Sequence, residues 1–540
     1  MVKFVVPFAF VASVVAVDPF NWKPCAAPED KDPSLQCGFL AVPLNHLNKA
    51  NNQTIDIAVR RYRSSSPTRQ GTILLNPGGP GVPATGFASR GIMMLLGGDH
   101  DVLAFDPRGV GQSRPPKCSK NGFTSVQEDA AAKIMRDIPY DTPTSETSLG
   151  RYGSWSELRV RRCEKYDGEY LKYISTAFVA RDMDLIRAAL GESLTNYYGL
   201  SYGTALGATY VNMFPTRVGR VAIDSVLDPT IYTAPTSGMN EVNSADLEQV
   251  FEGFCTRCEA AGPQFCPLAD AKASNRGYVC AKLRALFAKI DANPLVLPAG
   301  DDLGILSGSG LRQQVFESLY RPSAWPQLAG FLASLLAGKA TVPPTAAADC
   351  PAPSNYRGSA MEWHVFVGND GDNTNADWPN DWDASFANCK KVSPTFGAVL
   401  AKGPIHCKYW TTKPIERYAG PWDKQLKNPI VILNNELDPI TPLRSANNLA
   451  GIMGDNAIVA TRDGYGHATI NLPSRCIQQL LANFFKNGIY PESYTNCAVD
   501  MDPFIPPTPP PHARSADEGD ANDLEAARQE VAKFLDTIPI

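Results

Sequence analysis

Short apolar runs, each closed by a glycine- or proline-rich turn and followed by a helical stretch, constrain this chain most. Ile55 to Tyr62 alternates as a strand does. Thr72 to Asn76 is an apolar run that breaks on Pro77-Gly78-Gly79-Pro80-Gly81, and Asp101 to Phe105 is another, ending on Asp106-Pro-Arg-Gly109. Phe178 to Leu190 carries helical spacing and stops before Gly191. Asn196 to Leu200 reads as a strand running into Ser201, Ala205 to Phe214 resumes helical spacing, and Arg220 to Ile223 is one more strand. Strands this apolar need cover on both faces. The pattern therefore predicts an α/β fold, a mostly parallel sheet with helices on both sides.

The rhythm lapses after Asp228-Pro229. Residues 230–425 read mainly as amphipathic helices (Asp246 to Phe254, Val279 to Ile290, Leu311 to Leu319, Trp325 to Leu336) separated by polar, Pro- and Gly-rich loops. The sheet pattern returns with Pro429 to Leu433 and Ala457 to Ala460. The simplest organisation is one α/β domain, 17–229 and 426–500, interrupted by a helical cap at 230–425. Residues 501–540 form a Pro-rich and then acidic tail, with a short helix expected from Asp523 to Leu535, and read as a linker and a loosely held end. With 44% apolar and 19% charged residues, a chain of 540 residues can bury a sizeable core. A net charge of −5 without a Lys/Arg cluster argues against a nucleic-acid partner.

The first residues read as an export signal. Lys3 supplies a charge, Phe4 to Val17 is uncharged, and Val14-Val15-Ala16 offers small residues for cleavage, giving a signal peptide over 1–16. That run is too short to span a bilayer comfortably as a helix, and no later segment approaches the necessary length, so no membrane partner is expected. Thirteen cysteines agree with export to an oxidising, extracellular compartment. Cys25 and Cys37 bracket a short loop, Cys255, Cys258, Cys266 and Cys280 cluster, and Cys476 faces Cys497. The Cys255-x-x-Cys258 pair lacks a second such pair or a nearby histidine, so it reads as part of a disulfide cluster rather than a zinc site. The odd count leaves at least one thiol over, and Cys350 is the expected one. Asn52-Gln-Thr54 is a glycosylation sequon at an expected surface turn.

Gly199-Leu-Ser201-Tyr-Gly203 fits G-x-S-x-G between a strand and a helix. A sharp strand-to-helix turn strains the serine and exposes its hydroxyl, and flanking glycines remove side chains that would clash. A serine hydroxyl is a weak nucleophile unless a base takes its proton and an acid orients that base. Of six histidines, His46, His100, His364, His406 and His512 fall at early strands, in the cap or in the tail. His467 alone follows a late strand, within Asp463-Gly-Tyr-Gly-His467. The acid should lie between serine and histidine, just after a strand. Asp438 fits, with Pro439 starting a turn; Glu436 is the reserve, and Asp463 lies too close to His467. Backbone N–H groups of Gly78 and Gly79, with that of Tyr202, are the candidate oxyanion donors.

Asn76-Pro-Gly-Gly-Pro-Gly81, Asp106-Pro-Arg-Gly-Val-Gly-Gln-Ser113, Gly199-Leu-Ser-Tyr-Gly-Thr204 and Leu437-Asp-Pro439 with Gly466-His467 resemble the α/β-hydrolase peptidases related to proline iminopeptidase. The chain is most similar to the secreted tripeptidyl aminopeptidase-like branch, from about Trp22 to Cys497. The resemblance implies an α/β-hydrolase fold with a helical cap, a Ser201/Asp438/His467 triad, Gly79 as the oxyanion glycine with Gly78 beside it, and cleavage near a peptide's N-terminus. Two departures bear on the substrate. Val82-Pro83-Ala84 stands where the family often has Gly-Ser-Gly, and Asp224-Ser225 where it commonly has Asp-Gly.

An aminopeptidase must bind a free α-ammonium, for which Glu241, Asp246, Glu248 and Glu252 are available; acidic helix residues commonly just face solvent, so none is assigned. The triad serves an esterase or lactonase acting on a small metabolite equally well, since both reactions pass through an acyl-enzyme. A complete set of catalytic groups argues against a non-catalytic binding protein. The expected partner is a peptide or a small ester, with no metal or organic cofactor and a monomer as the default state.

Overall fold

The computed structural model describes residues 18–505, apart from 26–31, 49, 121–145, 274, 300–301, 342–360, 376, 378–379, 402 and 404, together with Ala526, Glu530, Val531 and Phe534. The proposed signal peptide, Cys350 and His512 lie outside the described residues.

Strands form where the apolar runs stand. They are β1 (Lys23–Pro24), β2 (Leu35–Pro43), β3 (Thr54–Tyr62), β4 (Thr72–Asn76), β5 (Asp101–Phe105), β6 (Thr195–Leu200), β7 (Val218–Asp224), β8 (Leu295–Ala299), β9 (Asp302–Leu306), β10 (Ile430–Leu437), β11 (Ala457–Tyr465) and β12 (Thr495–Cys497). Ten of these build one sheet in the order β1-β2-β3-β5-β4-β6-β7-β10-β11-β12. The pairs from β1 through β3 to β5 are antiparallel; every pair from β5 onward is parallel.

Successive strand side chains point to opposite faces. In β4, Leu74 joins the core beneath the helices Thr176–Ala189, Tyr202–Met213 and Leu443–Met453. Ile73 and Leu75 join the core beneath Arg90–Leu95 and Arg475–Asn487. Both faces are buried, which is why the central strands show no polar alternation.

The sequence Asp106 to Ser113 closes the early part of the sheet. The buried Asp106 carboxylate accepts N–H bonds from Ala84 (2.9 Å), Thr85 (3.1 Å) and Gln112 (2.9 Å). Arg108, fully buried, pairs with Asp182 at 2.7 Å and donates to the carbonyls of Pro43, Leu44 and Tyr173. His46 is held at 2.8 Å by the same Asp182, a structural setting.

Between β7 and β10 the helices Leu247–Ala261, Tyr278–Ala292, Gly308–Leu319 and Trp325–Leu336 pack into a core of their own. The segment also holds the β8–β9 hairpin, which the helical pattern did not foretell. The helix Glu146–Leu171 was likewise not foreseen, its Arg- and Glu-rich sequence being far more polar than the helices that the pattern revealed.

Among the described residues five disulfides join Cys25–Cys37, Cys118–Cys163, Cys255–Cys280, Cys258–Cys266 and Cys476–Cys497. The Cys255–Cys280 cluster is thus two nested bridges. Cys389 and Cys407 are buried free thiols, so the surplus is not confined to Cys350.

The tail departs from expectation. Val531 is buried, Phe534 stacks on Phe87, and Gly91 N–H donates to the Glu530 carboxylate at 2.9 Å. These residues are docked rather than loose, because an apolar groove beside Gly86 receives them. No described helix is long and apolar enough to cross a membrane.

Candidate active site

β6 ends at Leu200 and a helix begins at Tyr202, leaving Ser201 alone in the turn with φ 55° and ψ −123°. That conformation is strained for any residue with a Cβ. The flanking glycines are required by space. A Cβ on Gly199 would lie 2.5 Å from Gly203 O, and one on Gly203 would lie 2.5 Å from Asn76 O. Ser201 N–H donates to Asp224 O at 3.1 Å, which fixes the turn to the end of β7.

β10 runs four residues beyond the predicted Leu433, with an irregularity between Asn435 and Leu437, and delivers Asp438 directly at its end. Asp438 is fully buried. Its Oδ1 accepts N–H bonds from Ile440 (3.0 Å) and Thr441 (2.9 Å), and both oxygens face His467 Nδ1, at 3.1 and 3.0 Å. Burial alone would raise its pKa. The adjacent imidazole, followed by these two amides, holds the carboxyl below its ordinary range instead. Glu436 is exposed and makes no such contact with His467, while Asp463 accepts a bond from Asn496.

His467 sits just past β11. Its backbone N–H donates to Tyr320 O at 2.9 Å, and its ring meets Tyr320 edge-on at 5.2 Å. Pro322, also from the segment between β7 and β10, crowds Gly466. Thr441 Oγ1 lies 3.0 Å from His467 Nδ1, a second contact on the same ring nitrogen. Sequence reasoning missed Thr441; its only signal was a hydroxyl residue three positions after the Asp. Among the described residues no hydrogen bond joins the Ser201 hydroxyl to His467 Nε2. Such bonds commonly tighten only when substrate arrives.

Three glycines of the loop after β4 have positive φ: Gly78 (101°), Gly79 (121°) and Gly81 (84°). Gly78 N–H donates to Asn76 Oδ1 at 2.9 Å, a bond that competes with the oxyanion role expected of it. Gly78 also matters sterically, since a Cβ there would lie 2.7 Å from Ser201 Cβ. Among the described residues no hydrogen bond is made by the N–H of Gly79 or by that of Tyr202, at the first position of its helix.

Gly81 abuts the helix Glu362–Asp370: a Cβ would lie 2.6 Å from Trp363 N and 2.7 Å from Glu362 Cβ. Glu362 is buried there and was not foreseen. Of the acidic residues considered earlier, Glu248 is engaged by Ser393, Thr395 and Arg284, Glu252 by Arg284, and Glu241 by Asn388. Asp246 accepts from the backbone at Asp438 and Leu443, while burial, and then the charge of Asp438, push it up to about 6. His364 and His406 stack on each other at 3.7 Å, and burial lowers both. Asn52 is exposed just before β3.

A sheet of this order, with a strained serine at a strand–helix elbow and an Asp–His pair on the neighbouring strand ends, defines an α/β-hydrolase of the serine type. Family models agree: "alpha/beta hydrolase fold" matches residues 71–295 and "TAP-like protein" matches residues 393–497. The chain is 29% identical over 516 residues to the tripeptidyl aminopeptidase of Streptomyces lividans, covering 92% of this chain and 89% of that protein. It is 26% identical over 509 residues to the serine protease Hip1 of Mycobacterium tuberculosis, covering 89% and 91%. A carboxylesterase B of the same organism is 28% identical over 502 residues, covering 88% and 90%. The chain thus carries an α/β-hydrolase-fold segment followed by a TAP-like segment, and is similar over most of its length to serine hydrolases.

Proposed function

We propose that this protein is a serine peptidase that releases short fragments from the N-terminus of peptides through an acyl-enzyme. Ser201 is the nucleophile, His467 the general base, Asp438 the residue that orients His467, and Gly79 and Tyr202 the oxyanion donors. The observation that carries the reading is the Asp438–His467 pair, fixed by two backbone amides and set at the same sheet edge as the strained Ser201. The carboxylate keeps the Nδ1 proton in place, so Nε2 is the nitrogen left to take the serine proton. Negative charge then develops on the carbonyl oxygen beside the amides of Gly79 and Tyr202.

The similarity to proteins named tripeptidyl aminopeptidase and serine protease supports a peptide substrate. Asp246 beside Asp438 supplies a carboxyl next to the site, suited to a substrate ammonium. Five disulfides suit an oxidising compartment, so the protein acts outside the cytoplasm, exported by residues 1–16, with Asn52 glycosylated where the host allows, and as a monomer.

The similarity to a carboxylesterase favours one second reading, hydrolysis of small esters at the same serine. A panel of aminoacyl and tripeptidyl anilides, with free and blocked N-termini, set against short-chain esters, separates the two. Turnover of free-amine peptides is expected; turnover of esters alone would end the peptidase reading. Ser201→Ala should abolish both turnover and fluorophosphonate labelling.

A further inference from the structure

Two non-glycine residues at this sheet edge hold left-handed backbone conformations, Ser225 with φ 62° and Ala468 with φ 69°. They are far apart in the chain and bonded to each other: Ala468 N–H donates to Ser225 Oγ at 2.8 Å, with both residues buried. Ala468 directly follows His467. Ser225 directly follows Asp224, whose carbonyl accepts the Ser201 N–H. The dipeptide Asp224-Ser225 thus touches the nucleophile turn on one side and the histidine loop on the other.

The rest of the junction is equally bound. Thr469 donates to the Asp224 carboxylate through its N–H (3.0 Å) and its hydroxyl (2.6 Å), Ser225 N–H donates to Leu433 O at 2.8 Å, and Asn435 Nδ2 donates to Ala468 O at 3.2 Å. Glycine adopts the φ of Ser225 without steric cost, whereas serine does not. A strained residue retained in so over-determined a setting points to a task for its side chain. Among the described residues, that hydroxyl is bonded to the amide next to His467.

We propose that Ser225 is a positioning residue, whose hydroxyl clamps the Ala468 amide and so sets the His467 imidazole against Ser201. The proposal rests on the reading of Ser201 and His467 as nucleophile and base. It assigns Ser225 no contact with substrate. Its effect is therefore on the chemical step rather than on substrate binding.

Ser225→Gly separates this role from folding, because glycine relieves the backbone strain while removing the clamp. The measurements are kcat and KM on a peptidyl anilide, the rate of fluorophosphonate labelling, and the thermal midpoint, with Ser225→Ala as the second variant. For both variants kcat and the labelling rate should fall together by about 10- to 100-fold, the size expected for a misplaced catalytic group. KM should stay within about threefold, and the midpoint of Ser225→Gly should stay above that of Ser225→Ala, because glycine relieves the backbone strain that alanine keeps while both leave the Ala468 amide unpaired. Wild-type kcat in Ser225→Gly overturns the proposal, as does a loss of activity that tracks a fall in midpoint in both variants. Ser201→Ala, run alongside, keeps the two readings distinct. If it abolishes labelling while Ser225→Gly turns over normally, the clamp is refuted and the nucleophile stands.

Discussion

Replacing Asp438 by Asn changes one atom and tests the whole arrangement. Asp438 Oδ1 accepts from the Ile440 and Thr441 amides at 3.0 and 2.9 Å and lies 3.1 Å from His467 Nδ1, while Oδ2 lies 3.0 Å from the same nitrogen. The asparagine oxygen takes the Oδ1 place, which puts its NH2 group at the Oδ2 place, against Nδ1. There the oxygen keeps two hydrogen bonds; the reverse orientation leaves the amide NH2 against two buried N–H donors, at about 1–3 kcal/mol for each group left unsatisfied. With the NH2 group against it, Nδ1 must accept, and the ring proton moves to Nε2. That tautomer cannot take a proton from Ser201, and no buried carboxylate remains to stabilise the imidazolium. The expected loss in kcat is about 10³- to 10⁴-fold, or roughly 4–5.5 kcal/mol of transition-state stabilisation. The assay is kcat on a peptidyl anilide, with the thermal midpoint as the folding control. Glu436→Gln should turn over normally, since Glu436 is exposed. A loss below tenfold in Asp438→Asn, or a comparable loss in Glu436→Gln, would refute the reasoning.

Gly78→Ala should lower activity by at least about 100-fold and reduce the thermal midpoint, because a Cβ would lie 2.7 Å from both Leu200 O and Ser201 Cβ at a φ of 101°; near-normal kinetics would mean the loop moves freely. Ending the chain at Asn522 removes Val531, Phe534 and the Glu530 bond to Gly91, and should lower the midpoint measurably, whereas an unchanged midpoint would deny the docking. Burial pushes Asp370 up to about 6 although Thr176 and Tyr232 donate to it. A carboxyl with a raised folded pKa contributes stability that is complete below the unfolded value of 3.8 and is lost as pH rises towards about 6. The midpoint of Asp370→Asn should therefore gain on that of the wild type between pH 4 and pH 6; a constant difference across that range would contradict the shift.

The sheet was legible in the chain because its strands are short, apolar on both faces and closed by turns, a pattern that survives in linear order. The elbow was legible for a related reason: Gly199 and Gly203 are there because no side chain fits, so local sterics left their mark on the residues themselves. Of the six histidines, His46, His364 and His406 have structural partners of their own, in keeping with setting them aside on position in the chain.

Contacts between distant segments left no such mark. Thr441 on the histidine ring, the bond from Asn76 that occupies Gly78, Glu362 against Gly81 and the tail against Phe87 pair residues whose types are common and whose spacing is arbitrary. The amino-acid order by itself determined the α/β architecture and the three residues proposed to react, since periodicity, glycine sterics and chain order are local properties. Only the folded structure decided which amides are free, which hydroxyls hold the histidine and where Val531 and Phe534 rest. Those depend on the positions of atoms brought together from remote parts of the chain, and no local pattern encodes them.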